Sequence, residues 1–166
     1  MSKRRRRLVW AILVPTIMVI TVLAVLYVNL NSALNSALSQ SLNTFDLIRV
    51  EYPSVSPDAV DVNITFSMEN PTNYTVEVNS IILSFWIDDK DIGTVNIEPN
   101  QDFPPGEESF FYFLRHVTNE DVLTSISTQT YELTIRGKIS ASAGDFVVSA
   151  SRSKDIDHVR EVDGIG

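Results

Sequence analysis

The residues best suited to acid–base or metal chemistry are few in this 166-residue chain: two histidines, His116 and His158, and no cysteine. His158 falls in a polar C-terminal tail. Neither a histidine-rich metal site nor a Ser/His/Asp triad is supported, since each needs several such groups to converge. Without cysteine there is no thiolate nucleophile, no disulfide framework and no Cys-based metal site. Asp88, Asp89 and Asp91 with Gly93 present the oxygens calcium takes, yet lack the ligand spacing and terminal glutamate of a calcium loop, so a solvated turn is expected. Glu107 and Glu108 are adjacent in an expected strand, where consecutive side chains point to opposite faces, which argues against a paired acid and base. The expectation is a non-enzymatic protein with no cofactor and no metal.

Two further features bear on surface chemistry. Asn63-Ile64-Thr65 and Asn73-Tyr74-Thr75 both satisfy the N-glycosylation acceptor pattern, with Asn63 and Thr65 expected on the wet face of their strand. Trp86 falls with Ile82 opposite the Ile81, Leu83 and Phe85 face. It reads either as a partner-binding anchor or as a ring packed under a neighbouring loop.

Charge is segregated along the chain. It carries 13 Lys plus Arg against 21 Asp plus Glu. Five of the basic residues are Lys3, Arg4, Arg5, Arg6 and Arg7, so eight remain against 21, a balance of −13 beyond them. No Lys or Arg follows from Leu8 until Arg49. This asymmetry predicts a cytoplasmic N-terminus and an exported C-terminal part. An acidic exported domain lacks the basic surface that nucleic-acid binding needs, and the arginine cluster reads as a topology signal that also touches anionic headgroups.

The element that positions everything else is the apolar run from Leu8 to Leu30. As a helix it rises about 34 Å at about 1.5 Å per residue, enough to cross a hydrocarbon core of about 30 Å. Trp10 and Tyr27 fall at the two interfaces, and Pro15 is tolerable within a span. A cleaved signal peptide is the competing reading, but its apolar region is usually about 7 to 15 residues and is followed by a small-x-small site. The run is longer, and no Ala-x-Ala follows it.

Beyond the span, Leu30, Leu34, Leu38 and Leu42 recur every fourth residue with Ala33 and Ala37 beside them, one stripe of a helical stalk. It reads as a self-association stripe or as an extension of the anchor lying on lipid or on the domain. From Phe45 the period becomes two. Ile48, Val50 and Tyr52 alternate before Pro53 and Pro57 bound a loop. Val60 to Met68 alternate in full, Asn70-Pro71 interrupts, and Tyr74, Val76 and Val78 resume. Ile81 to Ile87 form the next strand, and the Asp88 to Gly93 segment turns into Val95 and Ile97. Phe110 to Leu114 is apolar on both faces, as in a central or doubly covered strand. Thr118-Asn119-Glu120-Asp121 followed by Val122, Leu123 and Ile126 reads as a short capped helix that crosses between sheets. Tyr131 to Ile139 alternate, and Gly144 turns the chain into Phe146, Val148 and Ala150. The tail from Ser153 is expected to be loose.

These elements predict a mainly β chain: one N-terminal transmembrane helix and an antiparallel β-sandwich of about seven strands, of immunoglobulin or fibronectin type III character. The boundaries are a basic flank at 1–7, the span at 8–30, the stalk at 31–44, the domain at 45–152 and the tail at 153–166. The long strand ending Phe66-Ser67-Met68-Glu69-Asn70-Pro71, then Asn73-Tyr74-Thr75-Val76-Glu77-Val78, then the Gly93 and Pro104-Pro105-Gly106 turns, resembles the water stress and hypersensitive response (WHy) domain of type 2 late embryogenesis abundant proteins. That resemblance implies a folded, non-enzymatic domain associated with desiccation or other stress, often membrane-anchored, in which Asn70 and Pro71 are structural.

The expected function is binding or stabilisation by a domain displayed outside the cytoplasm on a single-pass anchor. The lipid bilayer is a partner through 8–30, and a protein partner or a second copy is another. One alternative is a surface assembly or adhesion subunit that uses sheet-edge pairing; a weaker one is an apolar-ligand carrier near the bilayer.

Overall fold

The computed structural model describes residues 3–127, 130–145 and 148–165, with side chains from Leu13 onward. Expectations placed on the side chains of Lys3 to Arg7, Trp10 and Phe146 lie outside the described residues.

Helix α1 (Lys3–Asn43) runs unbroken for 41 residues, so span and stalk are one rod, with Pro15 inside it. From Leu13 to Leu30 its large apolar side chains are exposed, whereas Leu34, Ala37, Leu38 and Leu42 are buried. The leucine stripe is therefore occupied by the chain's own domain.

Eight strands follow among the described residues: β1 (Asp46–Ser56), β2 (Ala59–Glu69), β3 (Val76–Ile87), β4 (Lys90–Ile97), β5 (Gln101–Phe103) and β6 (Glu108–Val117), then helix α2 (Glu120–Ile126), β7 (Thr130–Gly144) and β8 (Ser149–Asp163). A three-stranded sheet has the order β1-β2-β6 and a five-stranded sheet the order β4-β3-β7-β8, with β5 also on β3. Every pairing is antiparallel. The inward residues of both sheets form one core, and rings meet across it: Phe85 lies 6.1 Å from Phe113, and Phe103 lies 6.0 Å from Phe111. Asn119 caps α2 as expected, its side chain accepting from the N–H groups of Asp121 and Val122, and the helix carries the chain from one sheet to the other.

Several expectations are corrected. The tail from Ser153 is the body of β8, paired with β7 from Gly144–Ser149 through to Thr130–Asp163. Its polar sequence misled because most of its side chains face water while the backbone is fully laddered. The segments around Val76 and Ile81 are one strand, since a register shift between Val78 and Ser80 moves the buried phase from even to odd positions. A shift between Leu47 and Arg49 does the same in β1, leaving Leu47 buried and Ile48 47% exposed. Pro53 is inside β1, next to a second shift between Glu51 and Ser54, as an edge strand with a bulge allows. Phe110 to Leu114 is not central: β6 ends its sheet, and the outward side chains are open. Glu107 precedes β6 rather than sharing a strand with Glu108.

Candidate functional site

Polar chemistry in this domain concentrates where the end of α1 meets the sheets. Asn70 follows the last residue of β2 and is wholly buried. Its Nδ2 donates to the carbonyls of Tyr74 and Phe103, both at 2.7 Å. Its Oδ1 accepts from Ser41 Oγ at 2.9 Å and from Thr72 Oγ1 at 2.7 Å. The Asn70 main chain donates to the Glu107 carbonyl at 2.9 Å and accepts from the Gly106 N–H at 2.7 Å. One amide thus joins the stalk, the 71–75 loop, the end of β5 and the Pro104-Pro105-Gly106 turn. Pro71 beside it is exposed and ends the ladder. Alongside, Glu69 N–H donates to Thr44 Oγ1 at 2.8 Å, and Lys154 Nζ reaches the Leu42 carbonyl at 3.2 Å. Ser41 is the partner that sequence reasoning overlooked: it is the polar break inside the leucine repeat, the only signal it offers.

A second polar junction closes the rim between β1 and β8. Tyr52 OH donates to the Asp163 carbonyl at 2.9 Å, so the Tyr131 hydroxyl donates to Tyr52 oxygen at 2.5 Å. Burial first, and the Tyr52 contact second, push the Tyr131 phenol above the ordinary tyrosine range; Tyr52 is also raised, chiefly by burial. Arg160 Nη1 adds a bond to the Leu47 carbonyl at 3.1 Å.

The acidic turn is self-contained. Asp88 and Asp89 take positive φ values of 46° and 63°, as a two-residue hairpin turn requires. Asp88 Oδ1 accepts from the Glu132 N–H at 2.9 Å, and Asp91 Oδ1 accepts from the Gly93 N–H at 2.6 Å. The Ser125 hydroxyl first, then that Glu132 N–H, hold the Asp88 carboxyl below its usual range. Among the described residues no group of three or more His, Cys, Asp or Glu side chains could hold a metal ion. The two histidines are well apart in role: His116 Nδ1 lies 2.7 Å from Asp61 Oδ1, and His158 stands in β8 opposite Ile135.

The remaining candidates lie on the outer faces. Asn73 is exposed in its loop. Asn63 is half-buried, but its sequon partner Thr65 is only 2% exposed, which corrects the wet-face expectation: Thr65 sits mid-sheet, in register between Arg49 on β1 and Tyr112 on β6. Trp86 is half-buried on the five-stranded sheet, with the Arg136 guanidinium 6.0 Å from its ring centre and Asp157 held by Arg136 in turn at 3.2 Å. On the other sheet Phe110, Tyr112 and Leu114 line the outward side of β6 at 47%, 63% and 60% exposure. On the inward side of the same strand, Arg115 lies 5.9 Å over the Phe85 ring with Nε and Nη2 buried and without a hydrogen-bond partner.

No family model matches the chain, and no curated protein matches it. Solved structures align with it. A target of the Northeast Structural Genomics Consortium aligns with a TM-score of 0.51 at 10% identity, over 75% of this chain and 90% of the other. A protein from Archaeoglobus fulgidus aligns at 0.44 and 9% identity, over 71% of this chain and 97% of that one. A provisionally assigned late embryogenesis abundant (LEA) protein aligns at 0.42 and 12% identity, over 84% and 89%. At these identities the likeness is one of fold.

Proposed function

We propose that this chain is a single-pass membrane protein, N-terminus in the cytoplasm, that holds an acidic β-sandwich of immunoglobulin or fibronectin type III character against the outer membrane face. There it binds or stabilises without catalysis. The observation that carries this reading is the continuity of α1. Residues Leu13 to Leu30 turn apolar side chains outward all round, and one turn later Leu34, Leu38 and Leu42 are sealed into the domain. A helix apolar on every side needs a non-aqueous surround. Its window of mean hydropathy 2.3 has no buried residue among the described residues. The basic flank ahead of it and the acidic domain after it supply the orientation.

The non-catalytic part rests on how the buried polar groups are used. Asn70, Tyr52 and Tyr131 tie elements to one another through the Tyr74, Phe103 and Asp163 carbonyls, the Ser41 and Thr72 hydroxyls and the Tyr52–Tyr131 contact. The association with desiccation or other stress, and the WHy-type family, rest on the resemblance around Asn70-Pro71.

Liposomes carrying the full chain, dried and rehydrated, should retain more encapsulated dye than liposomes carrying residues 1–44 alone. Equal retention would remove the stabilising half of the proposal. A chain beginning at Asn31 should no longer float with liposomes, and flotation would remove the anchoring half.

A further inference from the structure

The four sheet edges of this domain are not treated alike. Edge β1 carries Pro53 and two register shifts. Edge β8 is studded with Arg152, Lys154, Asp155, Asp157, Arg160 and Glu161, and its rim is bonded to β1 through Arg160 and Tyr52. Edge β4 holds Gly93 and a shift opposite Phe85 and Trp86. Bulges, proline and charge are the devices that keep an edge from recruiting another strand. Strand β6 has ten consecutive pairs with β2, no register shift and no proline, and its outward stripe of Phe110, Tyr112 and Leu114 stays open to solvent.

We propose that β6 joins two copies of this chain, edge to edge and antiparallel, about a two-fold axis through Tyr112. A two-fold perpendicular to the sheet is the symmetry that makes such a pair isologous, and it keeps outer faces on the same side only when a residue stands at the axis. Centring on Tyr112 uses nine residues of β6. On the outer face it sets Tyr112 against its copy, Phe110 against Leu114 and Glu108 against His116. On the inner face it sets Phe111 against Phe113 and Ser109 against Arg115. Centres at Phe111 or Phe113 set Glu108 against Leu114 or Phe111 against Arg115 instead. The chosen register therefore matches apolar to apolar and acid to imidazole, the cross-strand pairs that stabilise a sheet. An inward charge on an edge ordinarily discourages pairing. Here Arg115 is drawn inward over the Phe85 ring, with Nε and Nη2 buried, so it is not presented at the edge as a free charge.

The anchor fixes what such pairing means. Between Leu34, which abuts Gly144, and Leu42, whose carbonyl takes Lys154, α1 climbs alongside β8 in the direction of that strand. Antiparallel copies consequently point their anchors in opposite directions. The pair joins domains standing on two facing membranes, a consequence that rests on the anchored reading above.

The cysteine-free chain makes the test direct. Full-length Tyr112→Cys in mild detergent should form a disulfide dimer under gentle oxidation, whereas Thr94→Cys on the exposed face of β4 should give about tenfold less. Because each substitution acts twice in a symmetric pair, adding Leu114→Lys should lower dimer yield about tenfold with the circular dichroism spectrum unchanged. Two vesicle populations bearing differently tagged Tyr112→Cys chains should cross-link between tags and cluster. Equal yields at 112 and 94 in detergent would overturn the pairing. Dimers in detergent that form only within one vesicle population would overturn the facing-membrane arrangement and with it the anchor direction, leaving the pairing itself supported.

Discussion

Asn70 is the residue through which most of the domain's α1-facing end is ordered. Replacing it with alanine leaves the Tyr74 and Phe103 carbonyls and the Ser41 hydroxyl without their buried partner. At about 1–3 kcal/mol for each unsatisfied buried group, partly relieved by water, Asn70→Ala should lower unfolding free energy by about 3 kcal/mol or more in chemical denaturation. Ser41→Ala removes one of those bonds and should cost about 1 kcal/mol. The tyrosine pair sets a pH limit. A phenol whose pKa is higher folded than unfolded contributes stability that is complete below the unfolded value, about 10, and is lost as pH rises beyond it. Denaturation midpoints should stay flat through neutrality and fall above about pH 10, less steeply in Tyr131→Phe. The Asn-Pro step was legible because a proline after a long alternation announces the end of a ladder. Ser41 was not, since its partner lies 29 positions away and a polar residue beside a leucine stripe does not say what it bonds.

At the scale of elements, what periodicity can reveal depends on whether the strand keeps its phase. β2 alternates without interruption and was read to within a residue or so. β1 and β3 each contain a shift that moves the buried set by one position, so a two-residue period places Ile48 inside and divides β3 in two. β8 carries too few apolar residues to register as a strand, although its neighbours give it a complete ladder. The helical stripe was legible as a stripe, but amphipathicity alone does not say what covers it. Leu38 is wholly buried against the domain, so Leu38→Ala should cost about 2–5 kcal/mol, whereas Leu30→Ala, 40% exposed, should leave the unfolding free energy nearly unchanged. Gly137 is a stricter constraint: a Cβ there would lie 1.9 Å from the Ile82 carbonyl oxygen, inside the β3–β7 ladder. Gly137→Ala should cost several kcal/mol on that account, on the order of an overpacked core substitution, read from the same denaturation curves.

For the whole molecule, the organising fact is one rod whose first part faces outward with apolar side chains and whose last part is built into the fold. The domain is therefore held at a fixed attitude to α1, with the 71–75 loop, the Pro104-Pro105-Gly106 turn and the Gly144 turn at the end that meets α1 and the Asp88-Asp89 turn and α2 at the other. Charge segregation and the apolar run were legible at once, because both are properties of composition over tens of residues. The attitude was not, since it depends on Asn70, Lys154 and Gly144 meeting the stalk from distant parts of the chain. The central claim is that α1 crosses the bilayer and places the acidic domain outside. Single cysteines at Ser2 and Asn96, the latter exposed on β4, test it most directly in a chain that has none of its own. In intact cells a membrane-impermeant maleimide should label Asn96→Cys and reach Ser2→Cys only after lysis; labelling of Ser2→Cys alone before lysis, or of neither, would contradict it.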